Sequence, residues 1–215
     1  MAEVRVPAQP EHITGVILAG GRGSRMGGVD KGLQAFHDRP LVQHVLQRMQ
    51  PQVSVVGINA NRHLETYAGF QAPVWPDGNN DHAGPLSGFL VGLQHCNTPY
   101  LLTVPCDTPF LPLDLAARLG QALDVQAADI AMAAAPETDI SGVTRVRTQP
   151  VFCLLRVELL ASLQAYMREG GRKIDAWTAQ HHTVEVAFDT AQDDPRGFFN
   201  INTLQELQTL QIARP

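Results

Sequence analysis

The residues best equipped for chemistry lie in one stretch, Leu18-Ala19-Gly20-Gly21-Arg22-Gly23-Ser24-Arg25-Met26-Gly27-Gly28-Val29-Asp30-Lys31-Gly32. Glycines at 20, 21, 23, 27 and 28 let the backbone approach a ligand closely and turn its N–H groups inward, which makes a nest for an anion. Arg22, Arg25 and Lys31 add positive charge to the same stretch. An arginine grips phosphate oxygens through two parallel hydrogen bonds, whereas a lysine acts as a compact point charge. The stretch is no Walker A loop, because no Gly-Lys-Ser/Thr closes it, and Gly21-x-Gly23-x-x-Met26 lacks the third glycine of the dinucleotide fingerprint. Binding of a polyphosphate by backbone amides and cations is the chemistry that remains. A plain connector with solvated cations would leave this concentration of glycine and charge unexplained.

A polyphosphate calls for magnesium, which takes one or two carboxylates together with phosphate oxygens. Asp107, in Leu101-Leu102-Thr103-Val104-Pro105-Cys106-Asp107-Thr108-Pro109, follows an apolar run and is the candidate ligand. Pro105 and Pro109 stiffen the turn around it. A lone Asp at a strand end is as often a turn former or helix cap; the phosphate loop tips the balance toward a metal. Asp77 follows a short apolar segment in the same way, and His82-Ala83-Gly84-Pro85-Leu86-Ser87-Gly88 opens a helix whose free backbone donors suit a base edge or a phosphate. His181-His182 shows no metal-ligand spacing, Cys106 has no histidine placed to activate it, and Trp75 and Trp177 read as packing residues.

These residues need elements to hold them. Ile13 to Leu18 reads as a buried strand, Pro40 opens a helix striped by Leu41, Val42, Val45, Leu46 and Met49, and Val53 to Ile58 is a second strand. Pro73 to Trp75 makes a short strand, and Leu86, Phe89, Leu90 and Leu93 mark a helix. Leu101 to Val104 is a strand, Leu115, Leu119, Ala122 and Leu123 stripe a helix, and Ile130 to Ala134 is a strand. This alternation predicts a three-layer, Rossmann-like α/β fold with a mostly parallel sheet, whose ligands bind at the carboxyl ends of the strands. The pattern loosens after Ala135. Thr148 to Leu155 reads as a strand, Leu159, Leu163, Tyr166 and Met167 as a helix closed by Gly170-Gly171, and Arg172 to Ala179 as another short helix. Thr203-Leu204-Gln205-Glu206 is a capping box for a final helix.

The bulk composition agrees. The 215 residues carry a net charge of −5 with no dense cationic stripe, which argues against a nucleic-acid partner. Cys96, Cys106 and Cys153 form no C-x-x-C pair, so a reducing cytoplasm is the expected compartment. No run approaches the ~20 apolar residues that a membrane span needs. Residues 1–12 are expected to fray, leaving residues 13–215 as one α/β domain: a nucleotide-binding part, 13–134, and an acceptor-binding part, 135–202. A monomer is expected.

Taken together, Leu18 to Gly32, Asn59-Ala60-Asn61-Arg62, Asp77, Gly84-Pro85-Leu86-Ser87-Gly88, Pro105-Cys106-Asp107-Thr108-Pro109 and Asn200-Ile201-Asn202-Thr203 resemble the molybdenum cofactor guanylyltransferases. The opening loop alone is shared, in looser form, with sugar-nucleotide pyrophosphorylases; the other segments narrow the likeness. The resemblance implies a nucleotide-diphospho-sugar transferase-like fold and transfer of GMP from GTP onto Mo-molybdopterin. It implies backbone contacts to GTP from Leu18, Ala19, Gly20 and Gly21, with Lys31 on the phosphates. It also implies Asn59 and Asp77 around the nucleoside, with Gly84 in the nucleotide site, and Asp107 on both GTP and magnesium. Arg25, Lys31 and Asp107 would carry catalysis. Asn200 and Asn202, with Arg172 and Lys173, fall where the acceptor is expected; a solvated helix start is the other reading of Arg172 and Lys173. Further partners implied are cofactor-insertion proteins or apo-molybdoenzymes. The competing readings are a cytidylyltransferase for the same cofactor, a sugar-phosphate nucleotidyltransferase and a non-catalytic molybdopterin carrier.

Overall fold

The computed structural model describes residues 6–21, 29–78, 84–139 and 141–212. Its strands are β1 (Ile13–Leu18), β2 (Ala35–Phe36), β3 (Arg39–Pro40), β4 (Val55–Asn59), β5 (Tyr100–Pro105), β6 (Ile130–Thr138), β7 (Thr144–Arg156) and β8 (Thr183–Ala187). The helices are α1 (Leu41–Met49), α2 (Leu64–Ala68), α3 (Pro85–His95), α4 (Leu115–Val125), α5 (Leu160–Arg168), α6 (Ile174–Thr178) and α7 (Leu204–Ile212). Six strands form the main sheet in the order β4-β1-β5-β7-β6-β8, and β2 and β3 make a small separate ribbon. Pairings β1–β4, β1–β5 and β6–β8 are parallel, while β7 runs antiparallel to both of its neighbours.

Alternation along each strand splits the core between two faces. Ile13 and Ile17 of β1, Leu102 and Val104 of β5, and Phe152 and Leu154 of β7 face one side, where α1 brings Val42, Val45 and Met49 and α4 brings Leu115 and Leu119. Val16, Leu101, Cys153 and Leu155 face the other side, against Leu86, Phe89 and Leu93 of α3, Leu163 of α5 and Trp177 of α6. Each large apolar side chain buried this way contributes roughly 1.5–3 kcal/mol. Burial on both faces requires helices on both faces, which gives the expected three layers.

Several elements differ from the sequence expectation. The segment Pro73 to Trp75 makes only an isolated parallel bridge, Val74 to Ile58, rather than a strand of the sheet. The strand expected from Thr148 begins earlier, at Thr144, and its exposed first residues pair with β6 as a two-stranded arm. The helix expected from Arg172 starts only at Ile174, so Arg172 and Lys173 precede it. The segment expected to fray is docked over its described residues: Ala8 is buried, and its N–H donates to Asp124 Oδ2 of α4 at 3.0 Å. Gly120 permits this contact, because a Cβ there would lie 2.6 Å from Ala8 O. The capping box of α7 forms in full, with Glu206 N donating to Thr203 Oγ1 and Thr203 N to Glu206 Oε2, each at 3.1 Å.

Candidate active site

The sheet's register builds the site. Leu18 pairs with Asn59 on one side and Pro105 on the other, so the carboxyl ends of β1, β4 and β5 stand level. Ala19 N donates to Asn59 O at 2.8 Å and Cys106 N to Leu18 O at 3.1 Å, which extends the ladder past the strands. Gly20 lies close to the Asn59 and Asn61 amides; a Cβ there would sit 3.1 Å from Asn61 Nδ2. Arg62 Nη2 donates to Gly21 O at 3.2 Å, which ties the end of β4 to the start of the glycine-rich stretch.

One cluster forms around Asp77. Asn59 Nδ2 donates to Asp77 Oδ1 and Asn61 Nδ2 to Asp77 Oδ2, both at 2.8 Å. Asp77 N in turn donates to Asn61 Oδ1 at 2.8 Å, so this amide and the Asp77 main chain are locked reciprocally. Asn59 ends β4 and Asn61 lies in the bend two residues on, and both amides reach the same carboxylate. The start of α3 closes on the same cluster: a Cβ on Gly88 would lie 2.5 Å from Leu18 Cδ2 and 2.7 Å from Asn59 Oδ1. Gly84 caps this helix at φ 68°, ψ −152°, a conformation essentially reserved for glycine, and Pro85 follows at its first position.

The second cluster gathers residues from three distant parts of the chain. Lys31 Nζ donates to Asp107 Oδ2 at 3.1 Å and to Asn202 Oδ1 at 2.8 Å. Asp107 is only 8% exposed, and burial pushes its carboxyl above the ordinary range while the Lys31 charge and hydrogen bond pull it back. Ile201 N donates to Asp107 O at 3.0 Å, which brings Asn202 alongside. Behind Lys31, buried Tyr67 donates its hydroxyl to Asp30 Oδ1 at 2.6 Å, and burial raises the Tyr67 pKa. Gly32 leaves room for this pair, since a Cβ there would meet the Tyr67 hydroxyl at 2.5 Å. Burial, followed by the neighbouring Asp107 charge, also pushes the Cys106 thiol upward, so it stays a packed thiol.

A cleft of about 710 Å³ opens beside Asp77, between α3 and α5, with Ser87 and Gln94 on one wall and Gln164, Arg168 and Arg172 on the other. Arg172 Nη1 is held by the carbonyls of Met167 and Gly171 at 2.9 and 2.7 Å, at the end of α5. Lys173 is exposed at the N-terminus of α6.

The structure therefore gathers Leu18, Ala19, Gly20, Asn59 and Asp77 at one end of the edge and Lys31, Asp107 and Asn202 at the other. Arg172 joins Asp77 through the cleft. Asn202 stands beside Lys31, whereas Arg172 stands in the cleft, so the expected acceptor residues fall into two places. Arg22, Arg25, Gly23, Gly27, Gly28 and His82 lie outside the described residues. Sequence reasoning gave no role to Asn61, although its i, i+2 spacing from Asn59 was a usable signal. Asp30 and Tyr67 carried no such signal.

Asp107 fits magnesium as a donor. It is a hard carboxylate, and in the adjoining segment the buried Asn200 Oδ1 has no hydrogen-bond partner among the described residues. Among the described residues no cluster of three His, Cys, Asp or Glu side chains forms a protein cage. An ion that shares its shell with substrate phosphates needs none.

Solved structures share this architecture. Molybdopterin-guanine dinucleotide biosynthesis protein A from Archaeoglobus fulgidus matches with a TM-score of 0.71 at 19% identity, covering 92% of this chain and 96% of that one. The 4-diphosphocytidyl-2C-methyl-D-erythritol synthase from Anaerococcus prevotii matches at 0.69 and 11% identity, covering 94% and 98%. At such identities the likeness concerns the fold alone, a mostly parallel α/β sheet covered by helices on both faces. The sequence makes the assignment finer. Residues 15–184 match the MobA-like NTP transferase domain. A molybdenum cofactor guanylyltransferase from Acidovorax ebreus strain TPSY is 66% identical over 200 residues, covering 93% of this chain and 95% of its own length. Another from Albidiferax ferrireducens is 62% identical over 208 residues, covering 96% and 98%. The chain belongs to the MobA-like NTP transferase family and is a nucleotidyltransferase of molybdenum cofactor biosynthesis.

Proposed function

We propose that this chain transfers GMP from GTP to the phosphate of Mo-molybdopterin, yielding molybdopterin guanine dinucleotide and pyrophosphate. The contact of Lys31 with Asp107 at the carboxyl edge of the sheet carries the reading. It sets a phosphate-binding cation beside a metal-binding carboxylate, in a chain whose guanylyltransferase relatives match nearly end to end. Residues 13–134 form the nucleotide part and residues 135–202 the acceptor part. Asn59, Asp77 and Gly84 hold the nucleoside, and the backbone of Leu18, Ala19, Gly20 and Gly21 receives the phosphates. Arg172 and Lys173 attract the acceptor.

An acceptor phosphate oxygen attacks the α-phosphorus of GTP, and the bond from that phosphorus to the bridging oxygen of pyrophosphate breaks in line. A phosphate monoester is already nucleophilic near neutral pH, so positioning and charge stabilisation suffice without a general base. Lys31 and Arg25 neutralise the departing pyrophosphate. Magnesium held by Asp107 would draw charge from the phosphate oxygens. The chain acts as a monomer in the cytoplasm, a reducing compartment that suits the free thiols of Cys96, Cys106 and Cys153. Handover to cofactor-insertion proteins or apo-molybdoenzymes would follow.

Pyrophosphate release by the purified protein with Mo-molybdopterin and each of GTP, ATP, CTP and UTP tests the reading, with EDTA as a further arm. Turnover with GTP that EDTA abolishes is expected. Preference for CTP would overturn the substrate, and ligand binding without pyrophosphate would favour a carrier.

A further inference from the structure

We infer that Glu206 is a positioning residue for the transfer step, acting through Asn202 on Lys31; this rests on the proposed guanylyl transfer. A capping-box glutamate ordinarily accepts the N–H of the N-cap residue alone. Here the same Oε2 that accepts Thr203 N at 3.1 Å also accepts Asn202 N, and the latter bond is the shorter at 2.7 Å. The extra bond fixes the one residue in this segment that touches the Lys31 ammonium. Asn202 is held again through its side chain, whose Nδ2 donates to Asn200 O at 3.1 Å while Oδ1 accepts from Lys31.

Helix α7 is itself anchored. Leu207 and Ile201 are buried with Phe36 and Leu41, so the first turn of α7 is packed against the ribbon and the start of α1. The path from this packing to the reacting region is short: α7, Glu206, the Asn202 main chain, Asn202 Oδ1, Lys31. A lysine has three donors. Asp107 and Asn202 take two of them among the described residues, and their directions set where the third points. With Asn202 displaced, Lys31 would be held by Asp107 alone, and its two other N–H groups would lose their fixed direction. Glu206 accepts from the main chain of Asn202 and Thr203, so its loss acts on the geometry of Lys31 through Asn202.

Comparison of Glu206→Ala, Glu206→Gln, Thr203→Ala and Asn202→Ala with the native chain tests this. Thr203→Ala removes the other half of the cap but keeps the bond to Asn202, so it controls for helix stability. Glu206→Ala should lower kcat about tenfold or more, as loss of partners that orient reacting groups commonly does, with the KM for GTP changing less. Thr203→Ala, with a similar loss in Tm, should keep kcat near native. Glu206→Gln retains an acceptor oxygen and should restore kcat, and the double variant Asn202→Ala/Glu206→Ala should be no slower than Asn202→Ala alone. An active native protein in which Glu206→Ala behaves like Thr203→Ala, or in which the two losses add in full, overturns the positioning role. A native protein that releases no pyrophosphate overturns the guanylyl-transfer reading itself.

Discussion

The ammonium of Lys31 lies 3.1 Å from Asp107 Oδ2, although 76 residues separate the two in sequence. One comes from the segment after β1 and the other from the end of β5, strands that are neighbours in the sheet. A cation and a buried carboxylate thus share one boundary, and the Lys31 charge draws down the Asp107 pKa that burial raises.

Lys31→Met should make Asp107 a weaker acid. Burial raises its pKa, and Lys31 opposes that through its charge and its hydrogen bond. Removing both leaves desolvation opposed by a backbone hydrogen bond alone, so the carboxyl should titrate at higher pH in carbon-13 NMR. Pyrophosphate release should fall about 100-fold or more, the scale seen when a charge-stabilising donor is lost. An unmoved Asp107 titration would contradict the coupling.

Asp107→Asn should stabilise the protein at pH 7 while abolishing turnover. With a folded pKa above the ordinary carboxylate value of 3.8, the native state keeps a proton that the unfolded chain has released. Stability therefore falls as pH rises through that window, and the penalty is complete once pH passes the folded pKa. The neutral amide avoids it. The variant should show the higher Tm at pH 7, and the gap should close below about pH 3.8 as the native carboxyl is protonated in both states. A lower Tm at pH 7 would mean that Lys31 outweighs desolvation. Such a gain in stability with a loss of function is common at active sites.

Asn61→Ala should weaken GTP binding. The reciprocal bonds between Asn61 and Asp77 hold the carboxylate from the side opposite Asn59. A hydrogen bond to a charged group contributes about 1.5–3 kcal/mol, so the dissociation constant should rise about tenfold. Calorimetric titration of GTP into both proteins measures this, and an unchanged constant would remove Asp77 from the nucleotide site.

What could be read in the sequence was what local pattern encodes. Ile13 to Leu18 and Leu101 to Val104 are short, mostly apolar runs, each with one threonine, so they announced buried strands; Lys31 followed from the glycine-rich stretch after the first and Asp107 from standing just past the second. The antiparallel insertion of β7 between β5 and β6 was not legible. Its first residues, Thr144 to Arg147, are exposed and lack an apolar stripe, and pairing direction is decided by distant partners. Strand β8 buries only Val184 and gave too weak a pattern. In the site, Tyr67 and Asp30 meet across 37 residues, and nothing local in either segment predicts the contact. Glu206 was visible as a cap, but its bond to Asn202 depends on how residues 200–203 turn in space.

Gly88→Ala should injure nucleotide binding from a position that offers no side chain. Its Cβ would lie 2.5 Å from Leu18 Cδ2 and 2.7 Å from Asn59 Oδ1. Both are too close for real contacts, and the two groups differ in how they can yield. Leu18 can change rotamer, whereas Asn59 is bonded through Nδ2 to Trp75 O and Asp77 Oδ1. Relief by moving Asn59 breaks the Asp77 cluster; relief by moving α3 withdraws Gly84 from the same edge. Overpacking of this kind costs about 1–3 kcal/mol. The Tm should therefore drop and the GTP dissociation constant should rise, in contrast to Gly78→Ala, where a Cβ meets nothing within 4 Å among the described residues. If Gly88→Ala lost stability but bound GTP as tightly as the native chain, the start of α3 would be a packing element with no part in holding the nucleotide.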